Sequence, residues 1–144
     1  MPMQQVVAAV EARLASGWAF CPVRGFSDDN GDTPGDASAF LVVQYPVAMS
    51  SQITIGAPGA NVFREEGAFR LVLAMPRTIE GRLLALIWTD ELAKLFRAKQ
   101  FGANADFMGV TTYAPTSPSI EDDTDNGNYL LLSIAVPYQA DLLG

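Results

Sequence analysis

Half of the sixteen carboxylates in this 144-residue chain fall in two short polar stretches, and no other residues here have a wider chemical reach. Asp28, Asp29, Asp32 and Asp36 lie in the first, Ser27 to Ser38. Glu121, Asp122, Asp123 and Asp125 lie in the second, which closes with Asn126-Gly127-Asn128. Acids at this density can bind a divalent cation, work as a general acid/base pair, or hold two metal ions for hydrolysis. A calcium loop of the helix–loop–helix kind needs Glu at its twelfth position. Counted from Asp28, that position is Ala39. A catalytic acid pair needs a cleft that raises one of its two pKa values, whereas Gly, Pro and Asn among these acids predict turns in open solvent. Two-metal hydrolysis is the enzymatic chemistry these acids come nearest to.

The rest of the chain does not complete such a site. Histidine is absent, which removes the commonest general base, the commonest metal ligand and every Ser-His or Cys-His dyad. Gly56-Ala57-Pro58-Gly59-Ala60-Asn61 is glycine-rich, but no Gly-Lys-Ser/Thr follows, so it is a turn and not a phosphate loop. Lys94 and Lys99 read as ordinary helix-surface lysines. The expectation is no catalytic residue, no metal and no cofactor. A net charge of −7 and a pI near 4.3, without a basic strip, disfavour specific nucleic-acid binding. They do not disfavour a protein that DNA must slide past without sticking.

Cys21 is the single cysteine, so an internal disulfide is impossible and a reducing compartment is expected. Met1 to Gln5 carries no signal-peptide pattern, and the apolar runs fall short of the ~20 residues of a membrane span. A soluble product, made in the cytosol, is expected.

The elements follow from periodicity. Val6, Val7, Val10 and Leu14 predict a helix over Met3–Ser16, with Gly17 as its cap. Phe40–Tyr45 predicts a strand ended by Pro46, and Ser51–Ile55 a second one. Val62–Met75 predicts a long strand stopped by Pro76, in which Gly67 marks a bulge or a close approach. A long helix from Thr78 or Ile79 to Gln100 comes next, then strands at Phe107–Tyr113 and Tyr129–Val136. The last of these is apolar on both faces and should be central in its sheet. The order implies a single α+β domain over residues 1–144, a mostly antiparallel sheet with two helices on one face.

The long helix is not plainly amphipathic. Leu83, Leu84, Ile87, Trp88, Leu92, Leu95 and Phe96 form a wide stripe expected to face the core. Glu91 falls inside that stripe, and Leu86 and Ala93 fall on the polar side. A Glu that snorkels at the stripe's edge and one stray Leu are the ordinary account; a second packed face, against another subunit, is the alternative. Arg64, Glu65 and Glu66, three charges within a strand, read first as an exposed strand end.

This strand–helix unit resembles the tail terminator proteins of long-tailed bacteriophages. The resemblance rests on Arg64-Glu65-Glu66-Gly67-Ala68-Phe69-Arg70-Leu71-Val72-Leu73 and on Asp90-Glu91-Leu92-Ala93-Lys94-Leu95-Phe96. Ala8 to Leu14 and Val136-Pro137-Tyr138-Gln139-Ala140-Asp141 extend it over most of the chain, in soft patterns; the two acidic loops match no family pattern. It implies a structural virion protein, assembled in the host cytoplasm, that forms a homo-oligomeric, hexameric ring at the head-proximal end of the tail. Such a ring sits on the last ring of tail tube protein, ends tube polymerisation, and offers the surface that joins the head-tail connector or neck. Arg64, Glu65, Glu66, Leu86, Ala93 and Arg97 are then the candidate subunit interface, and Asp122, Asp123 and Asp125 the candidate lumen-facing residues. Another neck or tail-completion ring protein is the neighbouring alternative; a cytosolic ligand-binding or hydrolase domain is the distant one.

Overall fold

The computed structural model describes residues 2–26, 38–120 and 129–144. Both acidic loops, including Asp122, Asp123 and Asp125, lie outside them. The chain runs α1 (Gln4–Gly17), β1 (Val23–Arg24), β2 (Phe40–Gln52), β3 (Val62–Pro76), α2 (Ile79–Phe96), β4 (Gln100–Phe101), β5 (Phe107–Thr112), β6 (Ser119–Ile120) and β7 (Tyr129–Leu143). The strands form one curled sheet in the order β1-β2-β3-β7-β5-β4, with β6 also paired to β7. Every pairing is antiparallel except β1 with β2. This is the α+β architecture that the alternation of elements predicts, with α1 and α2 covering one face.

One core holds it together. Leu41 and Val43 of β2, Phe69, Leu71, Leu73 and Met75 of β3, and Leu132, Ile134, Val136 and Tyr138 of β7 share a face. Against them pack Val6, Val10 and Leu14 of α1, and Leu92 and Phe96 of α2. Phe69 and Phe96 meet edge to face at 5.0 Å, the arrangement aromatic quadrupoles prefer. β7 is central, between β3 and the β5/β6 side, as its two-sided hydrophobicity requires.

Two prolines do not end strands where the sequence places the ends. β2 continues through Pro46 to Gln52, and its register against β3 shifts between Gln44 and Val47. One extra residue is accommodated there, so proline's missing N–H falls at a bulge and leaves no ladder bond unmade. Gly67 of β3 lies beside this bulge, where any Cβ would overlap the Val47 carbonyl. Ile53–Ile55 is outside the sheet. Likewise β7 runs past Pro137 to Leu143. The Pro137 carbonyl accepts from the Tyr113 N–H at 3.0 Å, just beyond the last residue of β5.

α2 ends at Phe96, short of Gln100, and both ends are fixed by side chains. Thr78 Oγ1 accepts from the Gly81 N–H at 2.9 Å, a conventional N-cap. At the other end the Thr112 hydroxyl of β5 donates to the Phe96 carbonyl and accepts from the Lys99 N–H at 3.1 Å, while Arg13 Nε of α1 donates to the Leu95 carbonyl at 2.7 Å.

Candidate assembly surfaces

Of the side chains expected to face the core, α2 buries Leu92 and Phe96 and half-buries Trp88 and Leu95, but not the rest. Gly81, Ala85, Thr89, Leu92, Ala93 and Phe96 are buried, whereas Leu83, Leu84, Leu86 and Ile87 are exposed. The helix is turned about a quarter of a revolution from the orientation its hydrophobic stripe predicts. The cause is size. The sheet beneath offers Phe69, Leu71, Leu73 and Met75, and a helix resting on large side chains packs closest through small ones. The short Pro76–Thr78 link and its cap set the first turn, with Gly81 held so close to Pro76 that a Cβ would overlap the Pro76 carbonyl. Ala93 is therefore a core residue and is not available to another subunit, which corrects its assignment as an interface residue. Leu86 is exposed, as are Arg97, just past the helix, and Ile79 at its start. Beside this surface Phe20 stacks on Trp88 at 5.5 Å, and Trp18 meets both rings edge-on.

The three charges at the start of β3 have three different situations. Arg64 forms a two-bond fork with Asp141 across the β3–β7 pair, Nε to Oδ1 at 2.9 Å and Nη2 to Oδ2 at 3.1 Å. This hydrogen-bonded pairing, more than any other influence, raises the pKa of the Arg64 guanidinium further. Glu65 points the other way, into the core face, and is 4% exposed. Its Oε1 accepts from the Met3 N–H at 2.9 Å and its Oε2 from the Tyr138 hydroxyl at 3.2 Å. It ties the start of α1 to β7 and so is an internal fastener, a second correction to the expected interface set. Burial first, and the Glu65 charge second, push the Tyr138 phenol well above the usual tyrosine range. Glu66 is exposed on the sheet face away from the helices, paired with Met49 of β2 and Gln139 of β7.

The β2–β3 hairpin carries a second exposed apolar group, Val47, Met49, Ile53 and Ile55. Asn61 steadies its turn: its Nδ2 donates to the Ala57 carbonyl at 3.1 Å, and Thr54 Oγ1 donates to its Oδ1 at 3.2 Å. Between α1 and α2 lies a cavity of about 260 Å³ lined by Arg13, Trp18, Phe20, Glu91, Lys94 and Lys99 among others. Among the described residues no three His, Cys, Asp or Glu side chains gather at metal-binding distances, and no helix is long and apolar enough to cross a membrane. Besides that cavity, the described residues present an aliphatic helix face, an aliphatic hairpin, and a few charges beside them.

A family model described as phage tail terminator protein matches residues 5–138, nearly the whole chain. No curated protein matches it.

Proposed function

This chain belongs to the phage tail terminator family, and we propose that copies of it close into a hexameric ring that caps the tail tube. Membership makes it a phage tail component, a structural protein of the virion. The ring, on this proposal, sits on the last layer of tube protein, prevents further subunits from adding, and presents its far face to the head-tail connector. Its work is contact, and no step of it calls for catalysis.

The observation that carries the ring is the outward face of α2. Ile79, Leu83, Leu86 and Ile87 are among the largest exposed apolar side chains of the chain, and burying each against a neighbour is worth roughly 1.5–3 kcal/mol. Leu86, Arg97 and Glu66 remain from the expected interface set as accessible residues; Arg64 is held by Asp141 and reaches a neighbour only through its outer surface. Asp122, Asp123 and Asp125 are proposed to border the channel, where acidic charge repels passing DNA.

Solution mass with negative-stain images tests the ring. Six-fold rings of about six chain masses are expected, and a particle of one chain mass at every concentration overturns the proposal. Reversing the three acids to Lys should slow DNA ejection or leave DNA held in the tail. Normal ejection, with the loop mapped to the outer rim, would remove that part of it.

A further inference from the structure

Among the described residues two groups of exposed aliphatic side chains stand out, and they lie too far apart to satisfy each other within one copy. On α2, Ile79, Leu83, Leu86 and Ile87 are 81%, 62%, 56% and 57% exposed. On the β2–β3 hairpin, Val47, Met49, Ile53 and Ile55 are 54%, 74%, 44% and 103% exposed. Each group presents on the order of 500 Å² of apolar side chain, and a typical monomer has one patch of about 300–600 Å². Between the hairpin turn and the start of α2 runs the whole of β3, fifteen residues. At about 3.3 Å per residue the two groups are tens of ångströms apart. They also differ in layer. Val47 and Met49 pair with Ala68 and Glu66, which alternate with the core residue Phe69, so they face away from the helices.

We propose that the α2 stripe of one copy docks on the β2–β3 hairpin of the next, and that this head-to-tail contact is the one that builds the ring; it rests on the ring reading above. Two different patches of one chain that meet across copies make a heterologous contact, the kind that generates rings when the rotation closes. The area agrees. The two patches supply about 1,000 Å² together, and their polar borders bring the total toward the ~1,600 Å² of a stable interface. Glu66 stands exposed beside Met49, and the α2 stripe is bordered by exposed charges of both signs, Arg82 and Lys94 with Glu80 and Asp90, so the contact rests on apolar area and not on charge. Strand addition is the other way to use a hairpin arm, but Pro46 and the adjoining bulge interrupt this strand. A neighbour meets the arm through side chains. A two-fold contact of α2 with α2 would bury the stripe and leave the hairpin bare.

A mixing experiment tests the contact. One variant breaks the stripe (Leu83→Glu with Ile87→Glu) and the other breaks the hairpin (Met49→Glu with Ile55→Glu); all four residues are exposed, so each variant should melt like the parent. Should either misfold, the corresponding Ser variants replace it. The expected result by light scattering is a ring for the parent chain and one chain mass for each variant alone. The equimolar mixture should give two chain masses and nothing larger, because it contains one intact stripe facing one intact hairpin. If the hairpin variant alone still dimerises, α2 pairs with itself and the inference is wrong. If both variants still form the parent's ring, the ring uses other surfaces; the inference falls and the ring stands. If the parent itself never exceeds one chain mass, the ring reading fails and takes this contact with it.

Discussion

Glu65 and Glu66 are adjacent in sequence and opposite in role, because successive residues of a strand face opposite sides of the sheet. Nothing in Arg64-Glu65-Glu66 says which acid is inside. The phase of the strand does, since Glu65 has the parity of Phe69, Leu71 and Leu73, but a buried acid reads as an exposed one until its partners are known. Glu65→Ala should destabilise the monomer by about 2 kcal/mol in urea unfolding, since the Tyr138 hydroxyl and the Met3 N–H lose their acceptor. Glu66→Ala should change stability by no more than about 0.5 kcal/mol. The Tyr138 phenol gives a pH signature. Its folded pKa lies above its unfolded one, so its contribution is complete below about pH 10 and is lost as pH rises further. Tyr138→Phe should therefore lessen the alkaline fall in the urea midpoint. Part of the fall should remain, because burial, and secondly the Glu11 charge, raise the Tyr45 phenol too.

At the scale of elements, most of the secondary structure was legible and the orientation of α2 was not. Periodicity located α1, β3, β5 and β7, and Gly67 was readable as a close approach because a glycine inside an apolar strand has few other uses. Pro46 misled because the sequence does not reveal that its missing N–H falls at a bulge. On α2 the hydrophobic wheel weighs transfer free energy, whereas the fold selected for side-chain size against a bulky sheet. Of the stripe it placed in the core, Leu92 and Phe96 are buried, while Leu83, Leu84 and Ile87 are left outside. Two variants separate these effects by thermal melting or urea unfolding. Ala85→Leu should overpack the α2–sheet contact and cost roughly 1–3 kcal/mol, while Leu83→Ser with Ile87→Ser should leave the isolated monomer within about 0.5 kcal/mol of the parent. Gly67→Ala should cost a similar 1–3 kcal/mol, since the atom it would overlap is backbone and cannot swing away.

For the whole molecule, composition excluded more than it identified. The absence of histidine and the net charge of −7 argued against catalysis and nucleic-acid recognition, and neither one points to a tail. The assignment came from a pattern spread over residues 5–138, and the fold adds what that pattern could not show: which apolar residues a monomer leaves outside. Of the candidate interface, Leu86, Arg97 and Glu66 were readable as surface residues, while Ala93 and Glu65 were not readable as core because both depend on contacts distant in sequence. On the proposed function, an assembled ring of this chain stops tube growth. The most direct measurement is the length of tail tubes polymerised from tube protein with and without it, by negative-stain microscopy. Short tubes with a ring on one end are predicted for the parent chain, and unlimited growth for Leu83→Glu with Ile87→Glu. Tubes that lengthen equally, with no ring at either end, whether or not the parent chain is present, would contradict it.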